Sequence, residues 1–300
     1  MKLTNRIFVV RPSGFGFNPE TAESNRFQNE PGDDETSVSE KALFEFDRFV
    51  DSLRNEGVSV VVAEEPDGSV CSDAVFPNNW FSVHPDGSLF LYPMASVRRR
   101  LERSLKGRVV KETKPKSVHD ISHFENEGKY LEGTGSLVLD HDNRLAFACF
   151  SERTDAGVLE HWSRVSGYEV VAFHSSDEDR VPIYHTNVMM CLGKGFAVVC
   201  LDSVVDRSER KNLETRIRAT GRIIVSITHE QMSAFAGNML QIADGEGREL
   251  LVMSKTALSS LTELQKELLT GFSRLLDADV STIERIGGGS VRCMMAELWV

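Results

Sequence analysis

The chain has 300 residues, with 34 Lys and Arg against 45 Asp and Glu, and its formal net charge is −11 at pH 7. This acidic balance argues against nucleic-acid binding, which needs basic patches to neutralise phosphates. The one basic cluster, Arg98–Arg100 followed by Glu102, is interpreted as a solvated helix face. No apolar run approaches the roughly 18 residues that span a bilayer, and the N-terminus lacks a signal-peptide pattern. Five widely spaced cysteines without a CxxC pair favour reduced thiols, a cytoplasmic protein and no metal site.

The predicted elements begin with a strand at residues 6–10, a helix at 40–56 and a strand at 58–62. Four apolar hairpins follow, each turning at Gly, Asp or Asn, at residues 80–94, 135–150, 187–200 and 238–254. Helices are predicted between and after the later hairpins, at residues 155–166, 207–219 and 261–276. Strands are predicted after these helices, at residues 168–173, 222–227 and 280–283. A last, unpaired strand is predicted within residues 290–300.

The hairpins repeat at a regular interval. Their first strands begin near residues 80, 134, 187, 238 and 290, so the steps are 54, 53, 51 and 52 residues. The fifth unit has only one strand before the sequence ends, and the N-terminal strand can cover its edge. The sequence therefore predicts an α/β fold, a five-bladed ring of ββαβ units closed by its two ends, as a single domain over residues 1–300.

A closed ring brings equivalent strand starts to one central mouth, although these positions are far apart in the sequence. The side chains predicted to meet there are His84, Glu132, His185, Asn187, Asn238 and Cys293.

Three of these side chains suggest nucleophilic catalysis. Cys293 follows the glycines at 287–289, which allow close backbone approach to a ligand, and is a candidate nucleophile. His185 is a candidate acid and base, and Glu132 could orient it. Each also has an ordinary structural interpretation: a buried small hydrophobe, a hydrogen-bonded histidine and a turn-capping carboxylate. Their meeting on one rim favours the catalytic interpretation.

Several motifs resemble the guanidino-group-modifying (pentein) superfamily, which includes arginine deiminases, dimethylarginine hydrolases and amidinotransferases. These motifs are LEGTGS (131–136), SERT (151–154), YHTNV (184–188) and GGGSVRCM (287–294). The resemblance covers nearly the whole chain and implies a five-bladed propeller. It also implies that Cys293 is the nucleophile, His185 the acid and base, and Glu132 the acidic partner. The SERT motif implies that Arg153 binds a substrate carboxylate, as a guanidinium fork is suited to do.

The sequence departs from the deiminases where they hold the guanidinium with two aspartates. We interpret the corresponding residues here as His84 and Asn187, which can both be neutral. A buried cation without paired anions is costly, whereas a neutral ureido group can hydrogen-bond to such side chains. This favours citrulline, and residues 14–28 and 76–87 are similar to the citrulline-hydrolysing branch. Asn79 in the second segment and Asn238 on the rim are further expected binding residues, and Phe15 and Trp80 are expected to line the pocket, although core packing explains both aromatics equally well.

The predicted function is therefore hydrolysis of L-citrulline to ornithine, ammonia and CO2 through a covalent Cys293 intermediate, without a cofactor or metal. The expected partner is a small amino-acid substrate, and homo-oligomerisation is left open. An arginine deiminase or amidinotransferase remains an alternative, because Asp120 could supply the absent carboxylate. A catalytically silent ring that binds another protein is the non-enzyme alternative.

Overall fold

The computed structural model describes residues 2–22, 24–30, 32, 35–65 and 71–299. Its strands are short and group into five sheets. In chain order they are β1 (Arg6–Arg11), β2 (Ser59–Glu64), β3 (Phe81–Val83), β4 (Ser88–Leu91), β5 (Ser117–Asp120), β6 (Val138–Asp140), β7 (Leu145–Phe150), β8 (Glu169–His174), β9 (Met190–Leu192), β10 (Phe196–Val199), β11 (Ile223–Ser226), β12 (Leu240–Ala243), β13 (Glu249–Ser254), β14 (Arg274–Ala278) and β15 (Ala296–Glu297).

The helices range from single turns to a 21-residue helix near the N-terminus. They are α1 (Pro19–Ala22), α2 (Glu35–Asn55), α3 (Lys106–Thr113), α4 (Gly133–Ser136), α5 (Ala156–Ser166), α6 (Thr186–Met189), α7 (Arg207–Ala219), α8 (His229–Ser233), α9 (Lys255–Ser260), α10 (Glu263–Thr270) and α11 (Ser281–Gly287). Short 3-10 helices lie at Pro77–Asn79, Arg98–Leu105, Ser122–Glu127 and Leu201–Ser203. Among the described residues, no helix is long and apolar enough to cross a membrane.

Each sheet has the same three-stranded pattern. In four of the sheets an antiparallel hairpin provides two strands, and the third strand pairs in parallel with the second after a helical crossover. In one sheet, for example, Val198 of β10 lies opposite Cys191 of β9 on one side and Val225 of β11 on the other. Such a parallel pair needs a crossover connection, which here is α7. The five sheets confirm the predicted α/β fold with five pseudo-symmetric ββαβ blades.

The fifth sheet is built from both ends of the chain, in the order β15-β1-β2. Phe8 of β1 lies opposite Ala296 of β15, and the Leu298 N–H donates to the Arg6 carbonyl at 2.9 Å. The Thr4 hydroxyl donates to the Leu298 carbonyl at 2.7 Å. The predicted closure of the ring by the two ends is therefore confirmed.

One predicted region is wrong. Residues 261–276 were expected to be one helix, but they contain α10 and most of β14, and the expected strand at 280–283 is the start of α11. Apolar side chains continue at helical spacing past Gly271, so local periodicity did not mark the end of the helix. The parallel pairing of Leu251 in β13 with Leu275 in β14 determines the strand instead.

A helical turn precedes the first strand of several blades and positions the functional side chains. Asn79 ends the 3-10 helix before β3. Glu132 and His185 are the residues immediately before α4 and α6, which lead into β6 and β9. Asn238 lies two residues before β12. The repeat of the fold thus places these side chains at equivalent points around one mouth.

Candidate active site

The loop between α11 and β15 carries the candidate nucleophile. Gly288 ends α11 at φ +61°, and its carbonyl accepts hydrogen bonds from the Asn25 amide at 3.2 Å and the Tyr184 hydroxyl at 2.6 Å. A Cβ on Gly288 would lie 2.5 Å from Asn25 Nδ2, so only glycine fits this position. A turn follows, in which the Cys293 N–H donates to the Ser290 carbonyl at 2.9 Å. The thiol is 3% exposed.

Two carboxamides surround the Cys293 sulfur. Asn187 Nδ2 lies 3.5 Å and Asn238 Nδ2 lies 3.3 Å from Sγ. Asn238 is held in this orientation because its Oδ1 accepts the Arg292 backbone N–H at 3.1 Å and its Nδ2 also donates to the Asn187 carbonyl at 2.9 Å. Both amides can donate to the sulfur, so two neutral groups hold it in place.

His185 and Glu132 form a buried pair, and His185 lines the same pocket as Cys293. His185 Nε2 lies 2.9 Å from Glu132 Oε2, and the second carboxylate oxygen accepts the Ala95 N–H at 2.9 Å. Burial lowers the pKa of His185 to about 4, although Glu132 acts in the opposite direction. Burial alone would raise the pKa of Glu132, but the charge of Arg153 and the hydrogen bond from His185 hold it well below its usual range. At neutral pH a neutral imidazole therefore donates from Nε2 to a carboxylate, which leaves Nδ1 as the basic nitrogen.

Arg153 lies between Glu132 and the N-terminal segment. Its Nη2 donates to the Thr21 carbonyl at 2.9 Å and to Ser24 Oγ at 2.7 Å, and its guanidinium lies over the Tyr184 ring. Its Nη1 lies 3.6 Å from Glu132 Oε2, beyond hydrogen-bond distance. The Nη1 donors therefore face the site, while the rest of the fork holds α1 over it.

A third carboxylate, Asp73, faces the same cavity. Its Oδ2 accepts hydrogen bonds from Asn18 Nδ2 at 2.8 Å and from the Thr21 hydroxyl at 3.1 Å. Its Oδ1 is buried and has no hydrogen-bond partner among the described residues. Burial raises the pKa of Asp73, and Arg99 and Arg153 oppose that effect. An unpaired buried carboxylate oxygen of this kind is suited to a ligand that brings N–H donors.

Asn79 is oriented by a buried ion pair. Arg99 Nη1 donates to Asn79 Oδ1 at 2.8 Å, and Arg99 Nε and Nη2 bind Glu102 at 2.7 and 3.1 Å. Asn79 Nδ2 has no partner in the described part of the chain. A Cβ on Gly135 would lie 2.4 Å from this Nδ2 and 2.7 Å from His185 Nδ1, so both nitrogens lie against that glycine.

These side chains line a narrow pocket that is partly open to solvent. Its walls come from the N-terminal segment, three blades and the loop before β15. The lining residues are Thr21, Asn25, Asp73, Phe76, Asn79, Arg99, Arg153, Tyr184, His185, Gly287, Gly288, Gly289 and Cys293. Among the described residues, no group of three or more His, Cys, Asp or Glu is placed to hold a metal ion.

The structure thus brings together most of the residues selected from the sequence. Cys293, His185, Asn79 and Arg153 line the cavity, Glu132 binds His185, and Asn187 and Asn238 contact Cys293.

The structure places His84 outside this group, away from the residues with which it was expected to bind substrate. Its Nε2 lies 2.9 Å from Ser82 Oγ, and its ring packs against Phe90, Tyr168 and His141 between two blades. His84 was expected at the substrate site because it aligns with one of the two aspartates with which the deiminases hold the guanidinium. The side chain that faces the cavity is Asn79, in the helical turn before β3.

The two expected pocket aromatics lie outside the cavity lining. Trp80 is fully buried and packs against Phe81, with ring centroids 4.3 Å apart. Phe15 packs beside Gly287, where an added Cβ would lie 3.2 Å from its ring. Both residues support the walls as core side chains, and Phe76 provides the aromatic lining. Asp120 is exposed on β5 and binds Ser122, so it does not supply a carboxylate to the site.

Asp73, Arg99 and Glu102 were not predicted from the sequence as site residues. Asp73 lies in a turn without apolar periodicity. Arg99 and Glu102 belong to the cluster interpreted as a solvated helix face, but they are 2% and 0% exposed. The two are three residues apart on one helix, a spacing that allows an ion pair, but that local signal does not reveal burial.

Comparison with known proteins places the chain in a family. The model of a family described as N,N dimethylarginine dimethylhydrolase, eukaryotic, matches residues 11–300. The chain belongs to this family. Its members and the matching solved structures are pentein-superfamily enzymes, which confirms the superfamily implied by the motifs. No curated protein sequence matches the chain.

Solved structures of this superfamily share the fold. The substrate-bound N-terminal domain of ArgZ, an arginine dihydrolase from the ornithine-ammonia cycle in Cyanobacteria, is 19% identical with a TM-score of 0.75, and the match covers 97% of this chain and 96% of that domain. The match to apo ArgZ covers 97% of this chain but only 40% of ArgZ, at 18% identity and a TM-score of 0.76. A dimethylarginine dimethylaminohydrolase variant in an adduct with S-methyl-L-thiocitrulline is 16% identical, with a TM-score of 0.66 and coverage of 98% and 99%.

Proposed function

We propose that this protein is a cysteine-dependent hydrolase of the terminal ureido group of L-citrulline. The observation that carries the proposal is the neutral amide shell at the reacting end of the cavity. Asn187 and Asn238 contact the Cys293 sulfur, and Asn79 Nδ2 is unpartnered within the described residues. Amide donors suit the oxygen of a ureido group, whereas a guanidinium offers donors only.

The charges at this end also favour a neutral group. Glu132 already binds His185 and lies 3.6 Å from Arg153, so its charge is compensated. A guanidinium there would be a further buried cation without an anion of its own, which is costly. A ureido group needs no such anion, and its oxygen can accept a hydrogen bond from Asn79.

The other end of the cavity fits the backbone end of a free amino acid. Asp73 Oδ1 has no hydrogen-bond partner among the described residues, so it can accept hydrogen bonds from an α-ammonium group. The Nη1 donors of Arg153 can bind the α-carboxylate. Both side chains contact Thr21, so the N-terminal segment covers the substrate at this end.

The reaction follows from these positions. Cys293 attacks the ureido carbon, and the proton of its thiol passes to His185. His185 then gives this proton to the δ nitrogen as the bond between that nitrogen and the carbon breaks, which releases ornithine and leaves an S-carbamoyl cysteine. Water, deprotonated by His185, attacks the thiocarbamate carbon and breaks its bond to sulfur, and His185 returns the proton to the Cys293 thiolate. The released carbamate decomposes to ammonia and CO2. Asn79 and Asn187 donate to the developing oxyanion.

A guanidino substrate is the second candidate. Asp73 gives the cavity one carboxylate that is not paired with a cation at hydrogen-bond distance, and this negative charge also suits arginine or a methylated arginine. The solved relatives include an arginine dihydrolase, and the description of the matching family names dimethylarginine as the compound acted on.

The test incubates the purified protein separately with L-citrulline, L-arginine and Nω,Nω-dimethyl-L-arginine, and quantifies ornithine, citrulline and ammonia. Ornithine and ammonia from citrulline, with at least tenfold lower kcat/KM on the two guanidino compounds, would support the proposal (a factor of about ten is 1.4 kcal/mol). Turnover of arginine or dimethylarginine without turnover of citrulline would contradict it. Cys293→Ser is the control, and we expect no turnover while the melting temperature stays near that of the wild type.

A further inference from the structure

The 3-10 helix Arg98–Leu105 carries a buried ion pair that the proposed reaction does not use. Arg99 and Glu102 are 2% and 0% exposed, and two hydrogen bonds of 2.7 and 3.1 Å join them. Burying two charges is expensive, and replacing such a pair by apolar side chains is often neutral or stabilising. Stability alone therefore does not explain why this ion pair is buried, and we look for a role of the pair in the pocket.

The donors of Arg99 show what the pair does. A guanidinium has five N–H groups. Nε and one Nη2 donor bind Glu102, the other Nη2 donor binds the Phe76 carbonyl at 2.9 Å, and one Nη1 donor binds Asn79. Four of the five donors are thus engaged within the protein. One remaining N–H cannot form the bidentate clamp that a substrate carboxylate takes from an arginine.

The contact with Asn79 determines which way its carboxamide points. Arg99 has donors only, so Asn79 must present Oδ1 to it. The opposite orientation would place two N–H groups against a guanidinium. Asn79 Nδ2 is therefore directed away from Arg99, and it lies beside His185 Nδ1 against Gly135 at the cavity.

We infer that the Arg99–Glu102 pair positions the Asn79 amide as a donor and thereby makes the cavity select a ureido oxygen over a guanidinium nitrogen. Asn79 touches the substrate, whereas Arg99 and Glu102 act through it as positioning residues. Glu102 holds the guanidinium so that its Nη1 faces Asn79. This inference rests on the proposed function, because it explains how the same site distinguishes the two substrate classes.

The test compares two conservative variants of the same 3-10 helix. Arg99→Lys removes the fork that bridges Glu102 and Asn79. Arg103→Lys removes an equally bidentate contact, with Glu125 at 2.6 and 2.8 Å, that does not involve Asn79. We expect Arg99→Lys to lower the ratio of kcat/KM for citrulline to that for arginine about tenfold, the value of one lost hydrogen bond. Arg103→Lys should leave this ratio unchanged.

A double-mutant cycle separates positioning from a general structural effect. In an Asn79→Ala background, Arg99→Lys should not change the ratio further, because the amide that it positions is absent. Additive effects of the two substitutions would overturn the inference. So would an equal rise of KM for both substrates in Arg99→Lys, which would assign Arg99 to the common amino-acid end of the substrate.

Two further outcomes complete the test. If Arg99→Lys does not fold, Asn79→Asp replaces it: with Arg99 intact, a carboxylate oxygen then faces the cavity, and the preference should move toward arginine by about tenfold or more. An unchanged preference in Asn79→Asp would overturn the inference. A wild type that is active on arginine and inactive on citrulline overturns the proposed function and this inference together. A citrulline-active wild type with an additive cycle overturns the inference alone.

Discussion

At the scale of single residues, His84 is a buried core histidine and does not line the pocket. Its Nε2 binds Ser82, whose hydroxyl lies 2.7 Å from the Tyr92 hydroxyl, which in turn accepts the Trp162 N–H at 3.1 Å. Burial lowers the pKa of His84 to about 3. In the folded protein the His84 ring therefore stays neutral down to about pH 3. In the unfolded chain the same ring begins to bind a proton near pH 6.5.

This difference predicts a pH dependence of stability. The unfolded state protonates His84 below about pH 6.5 and the folded state does not, so the unfolded state binds more protons and stability falls with falling pH. Between pH 7 and pH 5, the wild type should lose about 2 kcal/mol more unfolding free energy than His84→Gln. Urea unfolding at both pH values measures this.

The same variant tests the position of His84 relative to the site. Because His84 does not line the cavity, His84→Gln should keep kcat/KM for the preferred substrate within about threefold of wild type at pH 7.5. His123→Gln, which changes an exposed ring, is the control and should alter neither quantity. A large loss of activity with unchanged stability in His84→Gln would return this residue to the substrate site.

At the scale of elements, the one-turn helices before the inner strands bring the reacting groups together. Helix α4 packs against α6 and against the 3-10 helix before β3. Gly135 lies in α4, where an added Cβ would meet both Asn79 Nδ2 and His185 Nδ1. A side chain at this position would displace both the Asn79 amide and the His185 ring. Neither nitrogen lies at the tip of a long, flexible side chain that could move aside easily.

We therefore predict that Gly135→Ala lowers kcat by about a hundredfold or more, since small displacements of catalytic groups have effects of this size. Thermal unfolding and circular dichroism should show that the variant still folds. Gly107→Ala is the matched control, because Gly107 lies in α3 with no atom within 4 Å of the added Cβ. Its activity should be unchanged, and near-wild-type kcat in Gly135→Ala would contradict the close packing of these two nitrogens.

The elements also show which parts of the structure a sequence can predict. The hairpins were predictable because turn residues and alternating apolar residues are local signals, as in residues 187–200, and their spacing gave the ring. Cys293 and His185 followed from that spacing and from motifs. Asp73 and the Arg99–Glu102 pair were not predictable, because their burial depends on contacts between distant segments. Arg99, for example, meets Asn79 from 20 residues away.

At the scale of the whole molecule, the ring has no blade that is first or last in space. Strands β1 and β15 are neighbours in one sheet, so the two ends of the chain meet there. The side chains of the site come from the N-terminal segment, several blades and the loop before β15, and all lie at the mouth where the first strands begin. The hairpin turns lie at the opposite ends of those strands, so the chain path can be changed there without touching the mouth.

A circular permutant tests this separation. New ends between Thr220 and Gly221 would open an exposed connection between α7 and β11, where a Cβ on Gly221 would meet nothing within 4 Å. A flexible linker of about eight Gly and Ser residues would join the present ends. We expect this permutant to keep kcat/KM within about tenfold of wild type, because exposed connections tolerate new ends.

A permutant opened between Val291 and Arg292 should lose activity, since this cut releases the turn that holds Cys293 and the N–H that orients Asn238. Equal loss in both permutants, measured with matched circular dichroism spectra, would show that the site depends on the continuity of the whole ring rather than on the loop before β15.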